Sequence, residues 1–126
     1  MSYSLKKGIA MSSPSAEDWD RLNLAPTAPA YVWHANLPKN MPGEWAPMYW
    51  GHERKKVDSW YKYLDTSKPY KKILVINEGD WQRPDGSDTP PWAAAAIHHE
   101  VHCQFPEAEI VAPNLSMVDL QNNWAW

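Results

Sequence analysis

Residues 71–84 read KKILVINEGDWQRP, and this stretch constrains the fold more than any other. Ile73, Leu74, Val75 and Ile76 form an unbroken aliphatic run without polar alternation. Such a run suits a strand covered on both faces, the usual state of a strand in a parallel sheet. It runs into Asn77, Glu78 and Trp81 and stops at Pro84. An apolar strand thus delivers an amide, a carboxylate and an indole to the place where it ends.

The flanking segments read as the rest of an α/β chain. Residues 8–11, 30–35, 44–51 and 108–114 are expected to be strands, with β-favouring residues in "YVW" and a glycine exit at Gly51. In "SSPSAEDWDRLNL", Ser13 or Ser15 can cap a short helix whose first turn tolerates Pro14 and gains from acidic residues. Val57, Trp60, Tyr61 and Leu64 recur at i, i+3, i+4 and i+7, the stripe of a second helix that ends before Pro69. "PPWAAAAIHHEVHCQF" opens a third helix with prolines and an alanine run, and Ala93, Ile97, Val101 and Phe105 would face the sheet. Strands alternating with helices in this rhythm give parallel pairing and the α/β class.

Bulk properties narrow the function. A chain of 126 residues supports at most one domain. Its net charge is −3, with twelve basic and fifteen acidic side chains and no Lys/Arg stripe, which argues against nucleic acid as a partner. No segment approaches 18 apolar residues, and the amino-terminal stretch lacks the apolar run of an export signal. Neither a membrane span nor an intact leader is expected in this sequence. Cys103 is the single cysteine, so no internal disulfide can form. Nine Trp and six Tyr stand against one Phe. Rings with an apolar face and a polar edge suit sugars, and core packing is the alternative use of the same rings.

In parallel α/β architectures functional groups gather where strands end. The expected strands bring Trp33 and His34, Tyr49 and Trp50, and Glu78 with Trp81 to such ends. Taken alone, Glu78 reads first as a solvated loop acid.

The wording around Glu78 resembles a known pattern. "ILVINEGDW" is similar to the Asn-Glu-Pro signature at the fourth strand of retaining glycoside hydrolases built on the (β/α)8 barrel. The succession "KKGIAM", "YVWHAN", "WAPMYWG", "ILVINEGDWQ", "AAAAIHHEV" and "AEIVAPNLS" resembles glycoside hydrolase family 128, endo-β-1,3-glucanases with an Asl-type catalytic core. The resemblance runs from Lys6 to about Met117, and "PMYWG" and "NEGDW" are its most specific pieces. It implies a TIM-barrel type fold, partial here with about five βα units, as a single domain over residues 1–126. It further implies Glu78 as general acid/base, Asn77 as the amide that orients the sugar 2-hydroxyl, and Trp33, Tyr49, Trp50 and Trp81 as sugar contacts. A β-glucan partner, no cofactor and a secreted location also follow from it. An acid of this kind works near neutral pH in an aromatic, partly dry pocket that raises its pKa.

The sequence departs from the pattern twice. Gly79 stands where the signature has proline. Retention also needs a second carboxylate about 5 Å from the first. The family carries it on the seventh strand, beyond the five expected here, and Asp119 is the only late acid with a claim. A full barrel takes about 250 residues. The expectation is an incomplete barrel: a fragment of a longer gene, an assembly finished by a second copy or another chain, or a compact rearranged fold with a new role. Its function is then glucan hydrolysis or that of a non-catalytic glucan-binding or structural remnant.

"HHEVHC" offers a competing chemistry. His98 and His102 lie at i and i+4, as do His99 and Cys103, so each pair projects onto one helix face. That spacing can chelate zinc or copper. The same residues also fit the half-exposed border of an outer helix, and further ligands would be limited to His34 or His52.

Overall fold

The computed structural model describes residues 9–12, 14–79 and 86–111. Their element order is β1 (Ile9–Ala10), α1 (Ala16–Arg21), β2 (Pro29–Tyr31), β3 (Glu44–Ala46), β4 (Met48–Tyr49), α2 (Arg54–Tyr63), β5 (Lys72–Val75), α3 (Pro91–Gln104) and β6 (Glu109–Val111). The strands form two three-stranded sheets, β1-β2-β3 and β4-β5-β6. Every pairing is parallel, and each strand's neighbour is the next in sequence. The chain therefore belongs to the α/β class and steps across its sheets in one direction. None of the helices among the described residues is long and apolar enough to cross a membrane.

The two sheets meet at a proline. Residues 44–51 were expected to form one strand, but Pro47 has no N–H to give and divides it. β3 pairs with β2, whereas β4 pairs with β5. The interruption is local. Met48 N donates to His34 O at 3.2 Å on one side, and Leu74 N donates to Pro47 O at 3.0 Å on the other.

Local sequence accounts for the helices. Ser15 caps α1, its Oγ accepting from Asp18 N at 3.1 Å, and Glu17 pairs with Arg21 at 2.8 Å one turn later. α2 buries Trp60, with Leu64 buried just beyond its end, while Tyr61 turns out to solvent and bonds Glu100 on α3. α3 starts with proline in its first turn and buries Ala93, Ala94, Ile97 and Val101, followed by Phe105. The connection over residues 32–43 carries no helix. Pro38, Pro42, Gly43 at φ 108° and Asn40 at φ 57° keep it irregular, in line with the absence of any helical pattern there in the sequence.

Strand alternation sorts the core. Ala30 and its partners Ile9 and Trp45 pack with Trp19 of α1, where the Trp19 and Trp45 rings lie 5.8 Å apart. Gly43 lies under that indole, and a Cβ there would fall 2.4 Å from Trp19 Cη2. In the second sheet Tyr49, Ile73, Val75 and Ile110 face α2 and α3. The other face is covered less than the aliphatic run suggested. Leu74 is half-buried and, with Tyr31 and Ala46, lines a concavity of about 760 Å³. The described helices cover only one side of these strands.

Candidate functional site

Parallel pairing puts the carboxyl ends of the strands at one edge. There Ile76 N donates to Tyr49 O at 2.7 Å and Asn77 N donates to Trp50 O at 3.1 Å. The Asn-Glu pair that leaves β5 is therefore bonded through its backbone to the Trp that leaves β4. The segment after β2 joins the same edge through the His34–Met48 bond. Three strand exits, from β2, β4 and β5, are brought side by side.

The backbone around Glu78 is held in an unusual shape. Ile76 has φ 62° and Glu78 has φ 43°, on either side of buried Asn77. The left-handed region is rare for a β-branched residue and costs on the order of 1 kcal/mol or more. Surrounding structure has to hold it. Ser87 N donates to Glu78 O at 3.3 Å, and Thr89 N donates to Gly79 O at 2.8 Å. Thr89 is fully buried; its hydroxyl donates to Ser87 O at 3.2 Å and accepts from His52 N at 3.3 Å, with His52 Nδ1 at 3.2 Å. Residues 86–89 are thereby fastened to the β4 exit on one side and to the Glu78–Gly79 backbone on the other. Glu78 is half-buried at this junction.

The aromatic candidates separate into two groups. Trp33 and Trp50 come together, lining a small cavity of about 110 Å³ with His34 and residues of α2. Trp33 is 38% exposed and meets Tyr31 edge-on at 5.5 Å, leaving ring surface open to solvent. Trp50 is half-buried, with the Lys56 ammonium 3.4 Å above its ring centroid. Tyr49 goes elsewhere. It is 2% exposed and packs on Trp60 at 4.8 Å, inside the helix-facing core. Burial, with the Glu100 carboxylate second, pushes its phenol up to about 12. Alternation places Tyr49 on the helix side of β4, so it presents no free face at the rim. Trp81 and Asp119 lie outside the described residues.

The histidine cluster sits on the outer side of α3. His99 Nε2 and Cys103 Sγ are 3.7 Å apart and exposed, His102 is exposed, and His98 is half-buried. Among the described residues no three His, Cys, Asp or Glu side chains gather where they could hold a metal ion. The concavity of about 760 Å³ does not include Glu78 in its lining. It runs along β1, β2 and β3 and past the start of β5, lined by Ile9, Tyr31, Ala46 and Lys72 among others.

Sequence reasoning missed the fastening residues Gly51, His52, Ser87 and Thr89. A glycine leaving a strand and a Ser-Asp-Thr-Pro turn are weak signals, because nothing local says that they meet 36 or more positions apart.

Comparison with known proteins agrees with this arrangement. The sequence profile of the glycosyl hydrolase catalytic core matches residues 8–126. No curated protein matches the chain. Among solved structures, the fold is similar to a family 128 (subgroup I) endo-β-1,3-glucanase from Amycolatopsis mediterranei, a mutant in complex with laminarihexaose. The TM-score is 0.65 at 16% identity, over 98% of this chain and 48% of that one. The chain spans about half the length of that enzyme, and at this identity the likeness is one of fold.

Proposed function

Because this chain belongs to the glycosyl hydrolase catalytic core family, we propose that it is a sector of a (β/α)8 barrel whose carboxyl-end rim acts on or binds β-1,3-glucan. The observation that carries this reading is the backbone bond from Asn77 N to Trp50 O, which sets the Asn-Glu pair beside an indole at adjoining strand exits. Strands that neighbour one another in sequence order, all parallel, are the winding of a barrel rather than of a sheet that reverses direction. In this reading Glu78 gives a proton to the glycosidic oxygen, Asn77 bonds the 2-hydroxyl, and Trp33 and Trp50 stack on glucosyl rings.

Hydrolysis with retention also requires a nucleophilic carboxylate about 5 Å from Glu78. It would come with the strands that complete the barrel, supplied by the same polypeptide, by a second copy or by another chain. The β6 edge at Glu109–Val111, last in its sheet among the described strands, is where those strands would pair. Without them the rim binds glucan and does not cut it.

Two assays separate these states. Laminarihexaose binding should be saturable and should weaken at least about tenfold, about 1.4 kcal/mol, in Trp50→Ala. Release of reducing ends from laminarin, in the assembly that supplies a nucleophile, should disappear in Glu78→Gln while binding persists. Absence of saturable binding to either sugar would refute the glucan reading.

A further inference from the structure

The small cavity beside Trp33 and Trp50 contains more than sugar-stacking surface. Its walls include Lys56, Ser59 and Trp60 of α2 and His34 from the segment after β2. Trp60 is 1% exposed, and its indole N–H finds no acceptor among the described residues. Buried donors are nearly always paired, so an orphaned one on a residue that lines a cavity points to an acceptor supplied from outside. Lys56 adds a cation. Its ammonium lies over the Trp50 ring and makes no ion pair among the described residues. Burial, then the neighbouring Lys55, holds its pKa below the usual lysine value, with Glu53 opposing them. A partly buried ammonium held against an indole, with no carboxylate in ion-pair contact among the described residues, favours an incoming anion.

We propose that this cavity is a carboxylate-binding pocket. One ammonium matches one negative charge, the Trp60 indole and the Ser59 hydroxyl supply hydrogen bonds to the oxygens, and the Trp50 and Trp33 rings flank the site with flat walls. The volume, about 110 Å³, is that of three or four liquid waters. It takes an acid group rather than a whole hexose. With Trp33 exposed nearby, the ring bearing that acid can rest outside the cavity on the indole face. The chemistry fits the uronic acid of a glycan, and a free small carboxylic acid offers the same group. The pocket does not depend on Glu78. Only the choice of a sugar as the carrier rests on the glucan reading.

The test uses the full chain with its indole nitrogens labelled with ¹⁵N, titrated with glucuronate, acetate and glucose. Trp60→Phe identifies the Trp60 signal, and through-space contact with Tyr49 identifies it if that variant does not fold. Glucuronate should shift the Trp60 N–H saturably downfield and glucose should not. Lys56→Gln, at a half-exposed position, should weaken the response at least tenfold. Acetate acting as well as glucuronate would support the carboxylate pocket and assign it to free acids. Equal responses to glucose and glucuronate, an unchanged response in Lys56→Gln, or no saturable shift with either acid would overturn the proposal and leave water as the occupant. Laminarihexaose, titrated into the same sample, reads Trp33 and Trp50. Its failure beside an intact Trp60 response would remove the glucan reading alone.

Discussion

Adding one methyl group at Gly51 should loosen the junction that holds Glu78. A Cβ there would lie 2.8 Å from Ser87 Cβ and 3.3 Å from Thr89 Oγ1. Carbon atoms rest at about 3.5–4.0 Å, so residues 86–89 would have to retreat by at least about 0.7 Å. They are not free to do so. Their backbone is bonded to Glu78 O and Gly79 O, and Thr89 is tied to His52. Overpacking a held site costs about 1–3 kcal/mol, or roughly 4–12 °C in Tm for a chain of this size. Thermal and urea unfolding of Gly51→Ala measure the loss. Ser87→Gly supplies the control, because it removes the atom that the new methyl meets. The double variant should recover about 1 kcal/mol or more of coupling, whereas Gly51→Ala/Ser87→Ala keeps that atom and should recover none through it. Ser87→Ala alone should be neutral or slightly stabilising, since the Ser87 hydroxyl is buried with no partner among the described residues. A Gly51→Ala protein within about 0.5 kcal/mol of its parent, the range of an ordinary surface change, would refute the steric account. So would equal rescue by Ser87→Gly and Ser87→Ala.

Other consequences can be measured independently. Ile73→Ala, at a fully buried position between β5 and the helices, should cost about 2–5 kcal/mol in urea unfolding, with the loss set by how far α2 and α3 collapse into the gap. Tyr49 ionises at about 12 in the folded chain against 10.0 when solvated, so the unfolded state releases its proton first. Stability from this group is complete below pH 10 and falls between pH 10 and 12, and Tyr49→Phe should abolish that part of the alkaline loss. The phenolate absorbance of Tyr49 should rise only near the upper end of that range.

Much of the architecture was legible locally. The aliphatic run at 73–76 gave β5 to within a residue at each end, and the four-residue spacing of Ala93, Ile97, Val101 and Phe105 identified the buried face of α3. Ser15 was readable as a cap because a hydroxyl three residues before a backbone N–H has one obvious use. Reading was poorer where a residue's role depends on its partner. Val32 to Ala35 looked like strand, yet the chain leaves the sheet after Tyr31, and "WAPMY" looked continuous until Pro47 divided it between two pairings. Tyr61 belonged to the helical stripe by spacing, but a phenol at the edge of that stripe found solvent and Glu100 instead.

The sequence by itself determined the α/β class, the parallel order and the delivery of Asn77 and Glu78 to a strand end, because periodicity and strand chemistry act over a few residues. Only the tertiary structure decided what stands beside that carboxylate. It sent Tyr49 into the core and Trp50 to the rim, since neighbouring strand positions face opposite ways and the register sets which face meets the helices. It also brought Gly51 against Ser87, and Lys56 over Trp50 beside Trp60. Those contacts depend on where helices and loops pack, a balance of burial and sterics over the whole chain that no short stretch encodes.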